Sequence, residues 1–161
     1  MRVSPEGSRS CGNLRTEPHQ VDVRFPDGTV IRALRVSERK AENPERDYGL
    51  YLDAAWRPAW KADVIDWQDF GLPKDYEVAA ALIRSAFERA KRGERVEVGC
   101  RGGLGRTGTV LACMAILAGV PVEQAVSWVR ANYDPRAIET PAQEQWVQWF
   151  AGYTRRLPTC Q

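Results

Sequence analysis

Histidine is nearly absent: the 161 residues hold one, His19. That excludes a histidine-based metal site and any nucleophile activated by a serine–histidine–aspartate relay. Cysteine is sparse as well. Cys11, Cys100, Cys113 and Cys160 lie far apart, without the close pairs that zinc sites need, so the reading is free thiols in a reducing, cytoplasmic setting and no metal. No stretch reaches the ~18 apolar residues of a membrane span, and the longest run, Val110 to Val120, has the length of a core helix. The N-terminus lacks the apolar segment of a secretion signal. Charge of either sign is nearly balanced at +2, too little to argue for nucleic acid or a membrane surface as partner. Internal repeats and low-complexity tracts are missing too. What remains is the composition of one globular domain. A loose tail is expected over residues 1–19 and a single domain over 20–156.

The chain supplies strands first and helices later. Val21 to Phe25 and Thr29 to Val36 alternate around Pro26-Asp27-Gly28, which predicts a hairpin. Ser37 to Asp47 reads as a loop; Tyr48 to Leu52 and Asp63 to Trp67 read as further strands. Lys74 to Arg92 predicts an amphipathic helix. Its apolar stripe is Ala79, Leu82, Ile83, Ala86, Phe87 and Ala90, with Asp75 as N-cap and Gly93 as stop. Two more helices are expected from Pro121 to about Tyr133 and from Thr140-Pro141 to about Tyr153, with Trp128, Trp146, Trp149 and Phe150 as core. The fold class is α/β: a central mixed, partly parallel sheet flanked by helices.

The informative stretch is Val96 to Ala118, a short strand running through a glycine-rich loop into an apolar helix. A helix N-terminus behind such a loop is an anion site, because unpaired backbone N–H groups and the helix dipole face the enclosed ligand. Gly102, Gly103 and Gly105 are expected to take positive φ and curl the loop's amides inward as a nest. Cys100 sits at the strand end, where amides, dipole and a guanidinium favour the thiolate. Arg106 opens the helix, and its fork grips two oxygens of a phosphoryl group. Gly103-Leu-Gly105-Arg-Thr-Gly108 also fits the dinucleotide fingerprint, but that unit needs a second parallel strand after the helix, and helical pattern follows instead. A phosphate loop of the Walker type needs a lysine after its last glycine, and none is there.

Cys100-Arg-Gly-Gly-Leu-Gly-Arg106-Thr-Gly resembles the cysteine-x5-arginine signature of the protein tyrosine phosphatase superfamily, the tyrosine-specific branch in particular. The resemblance runs from about Asp63 to Phe150 and implies a phosphatase-like fold and a cofactor-free, monomeric enzyme. Its substrate would be a phosphotyrosine-containing protein or peptide. Cys100 would be the nucleophile that carries the phosphoryl group. Arg101, Gly102, Gly103, Leu104 and Gly105 would line the substrate's phosphate, and Arg106 would hold its oxygens. Thr107 would donate its hydroxyl to the sulfur, or else serve only as a helix-start hydroxyl.

Trp67-Gln-Asp69-Phe-Gly71-Leu-Pro73 is similar to the superfamily's acid loop, with Gln68 in place of a proline. Asp69 would be the general acid and Trp67 the hinge anchor. The alternatives are a surface turn with a capping Asp69, or Asp66 as the acid. Ile138-Glu-Thr-Pro-Ala-Gln143 resembles the segment that positions water, with Gln143 matching one glutamine of the pattern and Glu139 replacing the other. Gly99 stands where relatives carry histidine. Tyr48 would either wall the substrate pocket or lie in the core. A phosphoinositide or other small phosphate ester as substrate, and a phosphate-binding module with little turnover, stay open.

Overall fold

In the computed structural model, residues 20–35, 46–55 and 58–158 are described. The expected N-terminal tail with Cys11 and His19, most of the 37–47 loop, Trp56 and Cys160 lie outside the described residues. Among the described residues, nine elements follow one another. They are β1 (Gln20–Arg24), β2 (Val30–Arg35), β3 (Tyr48–Tyr51), β4 (Ala62–Val64), α1 (Tyr76–Lys91), β5 (Val96–Cys100), α2 (Gly105–Leu117), α3 (Val122–Asn132) and α4 (Pro141–Arg156).

The strands form one mixed sheet in the order β1-β2-β5-β3-β4. The β1–β2 hairpin is antiparallel and turns at Gly28, whose φ is +89°. All other pairs are parallel, and β5 lies at the centre, with Arg35 of β2 opposite Cys100 and Tyr51 of β3 opposite Gly99. Cys100 therefore emerges at the carboxyl ends of parallel strands, the edge where α/β sheets bind ligands.

Alternation along the strands separates two faces. Ile31, Ala33, Tyr48, Leu50, Val96, Val98 and Cys100 join residues from all four helices in the main core. Leu34 and Tyr51 belong to a second, smaller cluster with Trp60, Ala62 and Val64, in which no helix takes part. Each large side chain buried in the main core contributes roughly 1.5–3 kcal/mol. Helix α2 is buried at every residue from Gly105 to Ala115 and touches α1, α3, α4 and β5. It is the axle around which the other helices pack, and it starts at the signature loop.

The caps match the sequence. Asp75 accepts from Val78 N at the start of α1, and Gly93 follows its end at φ +95°. Thr140 and Gln143 form a reciprocal capping box on α4, with Pro141 in the first turn. Two expectations are corrected. The fourth strand stops at Val64; Trp67 meets only Pro73 in an isolated bridge, because the chain there turns into a loop instead of pairing onward. Trp128 and Trp149 are only partly buried, packing against the core from its margin: Trp128 stacks on Phe25 and Trp149 on Tyr153.

Candidate active site

The loop from Cys100 to Arg106 closes a bowl at the end of β5. Cys100 is 1% exposed, and its Sγ accepts from Gly103 N at 3.2 Å and from Thr107 Oγ1 at 3.0 Å. Both donors suit a sulfur that carries negative charge. Thr107 is fully buried on the first turn of α2, so its hydroxyl points at the sulfur and not into solvent.

Only Gly103 of the loop glycines has positive φ, at +71°, which corrects the expectation for Gly102 and Gly105. Gly105 leaves room for Glu139 instead: a Cβ there would lie 2.5 Å from Glu139 Oε1, the tip of an exposed, flexible side chain. Gly108 admits the backbone at Ala137 and Ile138, since a Cβ would sit 2.9 Å from Ala137 Cβ. A Cβ on Gly102 would meet nothing.

Arg106 is buried to 3% exposure. Its Nη1 donates to the carbonyls of Leu52 at 2.7 Å and Trp67 at 2.8 Å. These bonds fix the plane of the guanidinium from the end of β3 and from the foot of the loop that runs from Trp67 to Pro73. Nη2 lies 3.5 Å from Asp69 Oδ1. Nε is buried and, among the described residues, takes no hydrogen-bond partner. An unsatisfied buried donor costs about 1–3 kcal/mol, and more when it belongs to a charged group, so an anion placed there would be strongly favoured.

Asp69 sits over this arginine with its side chain 54% exposed. The loop that carries it is held in part at the Gly71 carbonyl, which accepts from Trp67 Nε1 at 2.8 Å and from Gln143 Nε2 at 3.3 Å. Trp67 in turn packs on Trp146 of α4. Between them, Phe70 holds φ at +58° and is 60% exposed. Asp66 points away, exposed and 3.9 Å from Lys74 Nζ.

Gln143 is fully buried. Its Oε1 accepts from Glu139 N at 2.9 Å and Thr140 N at 3.3 Å, so both ends of the amide are held by backbone. Glu139 is the exposed polar side chain of that segment, with its carboxylate against Gly105. Arg101 projects from the rim, 67% exposed, 3.4 Å from Asp53 Oδ2. Tyr48 lies in the core, its hydroxyl donating to Asp63 Oδ2 at 2.6 Å, and does not wall the bowl. Cys113, two turns up α2, is buried, and burial pushes its thiol well up.

Two side chains at the loop have no forewarning in the sequence. Arg35 Nε donates to the Gly102 carbonyl at 3.3 Å, and the Tyr133 hydroxyl donates to the Gly103 carbonyl. They come from 67 and 30 residues away, and neither falls in a recognisable motif. A groove of about 520 Å³ at the opposite end of β5, around Arg32, Arg95 and Glu97, contains none of these groups.

A mixed sheet that delivers a cysteine loop onto the N-terminus of a buried helix defines the phosphatase fold of the small tyrosine and dual-specificity phosphatases. The chain belongs to the family described as PTP-SAK, Swiss Army Knife protein, DSP-PTPase phosphatase domain, whose match covers residues 55–147. An uncharacterised protein of Methanocaldococcus jannaschii is 35% identical over 114 residues, 63% of this chain and 74% of that protein. The receptor-type tyrosine-protein phosphatase C of Homo sapiens is 30% identical over 123 residues, 75% of this chain but 8% of that protein. Among solved structures, kinase associated phosphatase with serine at its catalytic-site cysteine matches with a TM-score of 0.71 at 16% identity, over 89% of this chain and 99% of that one. Tk-PTP in its active form matches with a TM-score of 0.66 at 23% identity, over 84% and 97%. These structural matches carry the fold.

Proposed function

We propose that the protein is a cysteine-dependent protein tyrosine phosphatase that hydrolyses phosphate monoesters through a phosphocysteine. The observation that carries this reading is the pairing, on one loop, of a doubly hydrogen-bonded Cys100 sulfur with an Arg106 Nε that takes no partner among the described residues. Cys100 Sγ attacks phosphorus in line with the ester oxygen. The S–P bond forms as the P–O bond breaks, and the Asp69 carboxyl gives its proton to the leaving oxygen. Loop amides and Arg106 hold the equatorial oxygens throughout. Water then attacks phosphorus, the Asp69 carboxylate takes its proton, and sulfur leaves with Thr107 donating to it. The bond from Gln143 to Gly71 supports a role in holding the acid loop in register; Glu139 stands by the bowl, where a water would approach.

The test is phenol release from an aryl phosphate with EDTA present. Wild type turns over; Cys100→Ser is inactive, and Asp69→Asn is slowed by about 10²–10⁴-fold, the worth of a general acid. Quenching wild type in acid traps phosphorus on Cys100. Equal rates for the three proteins, or no trapped adduct, reject the mechanism. Phosphotyrosine peptides tested beside inositol phosphates assign the substrate class.

A further inference from the structure

Two successive peptide planes of the signature loop are gripped from outside. The first joins Gly102 to Gly103: its carbonyl accepts from Arg35 Nε, and its N–H donates to Cys100 Sγ. The loop contains no cis bond, and in a planar trans peptide the C=O and N–H point in opposite directions. A donor fixed outside the carbonyl therefore aims the N–H inward. The second plane joins Gly103 to Leu104. Its carbonyl accepts from the Tyr133 hydroxyl, at the C-cap of α3. The N–H of that plane belongs to Leu104, the N-cap of α2. Gly103 at φ +71° is the pivot between the planes, and a Cβ added there would meet the Arg35 backbone at 3.4 Å. Burial, and then the nearby Cys100, raises the Tyr133 phenol well above its ordinary range, so it remains a donor at neutral pH.

We propose that Tyr133 is a positioning residue, with Arg35 its counterpart on the other side of the loop. By holding two outer carbonyls, they aim the Gly103 and Leu104 N–H groups into the anion site. Each acts on the anion site through the peptide it holds. A hydrogen bond to the carbonyl also polarises the peptide, which strengthens its N–H as a donor.

The consequence for turnover rests on the phosphatase reading, but the test does not. Vanadate binding and the iodoacetate alkylation rate of Cys100 at pH 6 are measured for wild type, Tyr133→Phe and Arg35→Met. Each substitution is expected to weaken vanadate about tenfold, the size of one hydrogen bond felt by a charged group. Alkylation slows several-fold while the melting temperature stays close to that of wild type. With an aryl phosphate, kcat falls and KM stays within about twofold, as expected for donors that matter most in the transition state. Unchanged vanadate binding and alkylation in both variants overturn the proposal. Should Tyr133→Phe fail to fold, Arg35→Met carries the same test through the Gly103 N–H. If both variants show the expected losses while wild type hydrolyses no phosphate ester, the two carbonyl holds stand and the phosphatase reading falls.

Discussion

Thr107 and Arg106 show how much one side chain's surroundings decide. The Thr107 hydroxyl is spent on Cys100 Sγ at 3.0 Å. Thr107→Val keeps the shape and removes the donor. A hydrogen bond to a charged group is worth about 1.5–3 kcal/mol, so kcat should fall roughly 10–100-fold. Because the lost donor serves the departing sulfur, the phosphocysteine accumulates, seen as a burst of phenol in stopped flow. An unchanged kcat without a burst would return Thr107 to a helix-start role. Arg106→Lys cannot satisfy the carbonyls of Leu52 and Trp67 and still present a second donor to an oxyanion. A loss on the order of 10²–10³ in kcat/KM is expected, read from initial rates. These residues were legible in the sequence because their chemistry is local: strand end, glycines, arginine and threonine fall within one short stretch. Arg35 and Tyr133 were not legible, since nothing in a linear pattern says which distant hydroxyl or guanidinium will meet a given carbonyl. The approach of the Glu139 carboxylate to Gly105 was hidden too, since it is a tertiary fact.

At the level of elements, the start of α4 and the Trp67–Pro73 loop are one unit. Thr140 caps the helix by accepting from Gln143 N at 3.1 Å, while the Gln143 side chain reaches Gly71. Thr140→Ala should cost about 1 kcal/mol of stability, seen as a lowered melting temperature. It should also lower kcat, because Gln143 loses its register on the acid loop; a change in stability alone would separate the two effects. Gly108→Ala should be worse, since its Cβ would collide with Ala137 and the backbone of Ile138, driving α2 away from the loop that precedes α4. Overpacking of this kind costs about 1–3 kcal/mol, measurable by denaturant unfolding. The helices were legible from caps and periodicity, as Asp75, Gly93 and Thr140 show. The fourth strand was not, because Asp63 to Trp67 carries strand-like residues whose pairing stops at Val64. Where an edge strand ends depends on its neighbour, and β3 ends as well.

For the whole molecule, part of the alkaline pH dependence follows from two buried phenols, beside the buried thiol of Cys113. Tyr48 is raised above its ordinary range, first by burial and then by its bond to Asp63; Tyr133 is raised by burial and by Cys100. Each folded-state value lies above the unfolded value of ~10. The stabilisation is therefore complete below pH ~10 and is lost as pH rises beyond it, because the unfolded chain then releases protons that the fold retains. Alkaline titration of stability should fall steeply above pH ~10, and Tyr48→Phe should flatten that slope. An equal slope in the variant would rule Tyr48 out as its source. The order of the sheet itself was not legible: the sequence announced a mixed sheet, but β5 entering between β2 and β3 is set by long-range packing. One more consequence lies in the reach of Arg106, which clasps carbonyls 54 and 39 residues upstream. Closing the chain over such spans costs loop entropy before the contacts repay it. On the proposed mechanism, a chain that has not yet brought these segments together would hold its sulfur without a fixed guanidinium beside it.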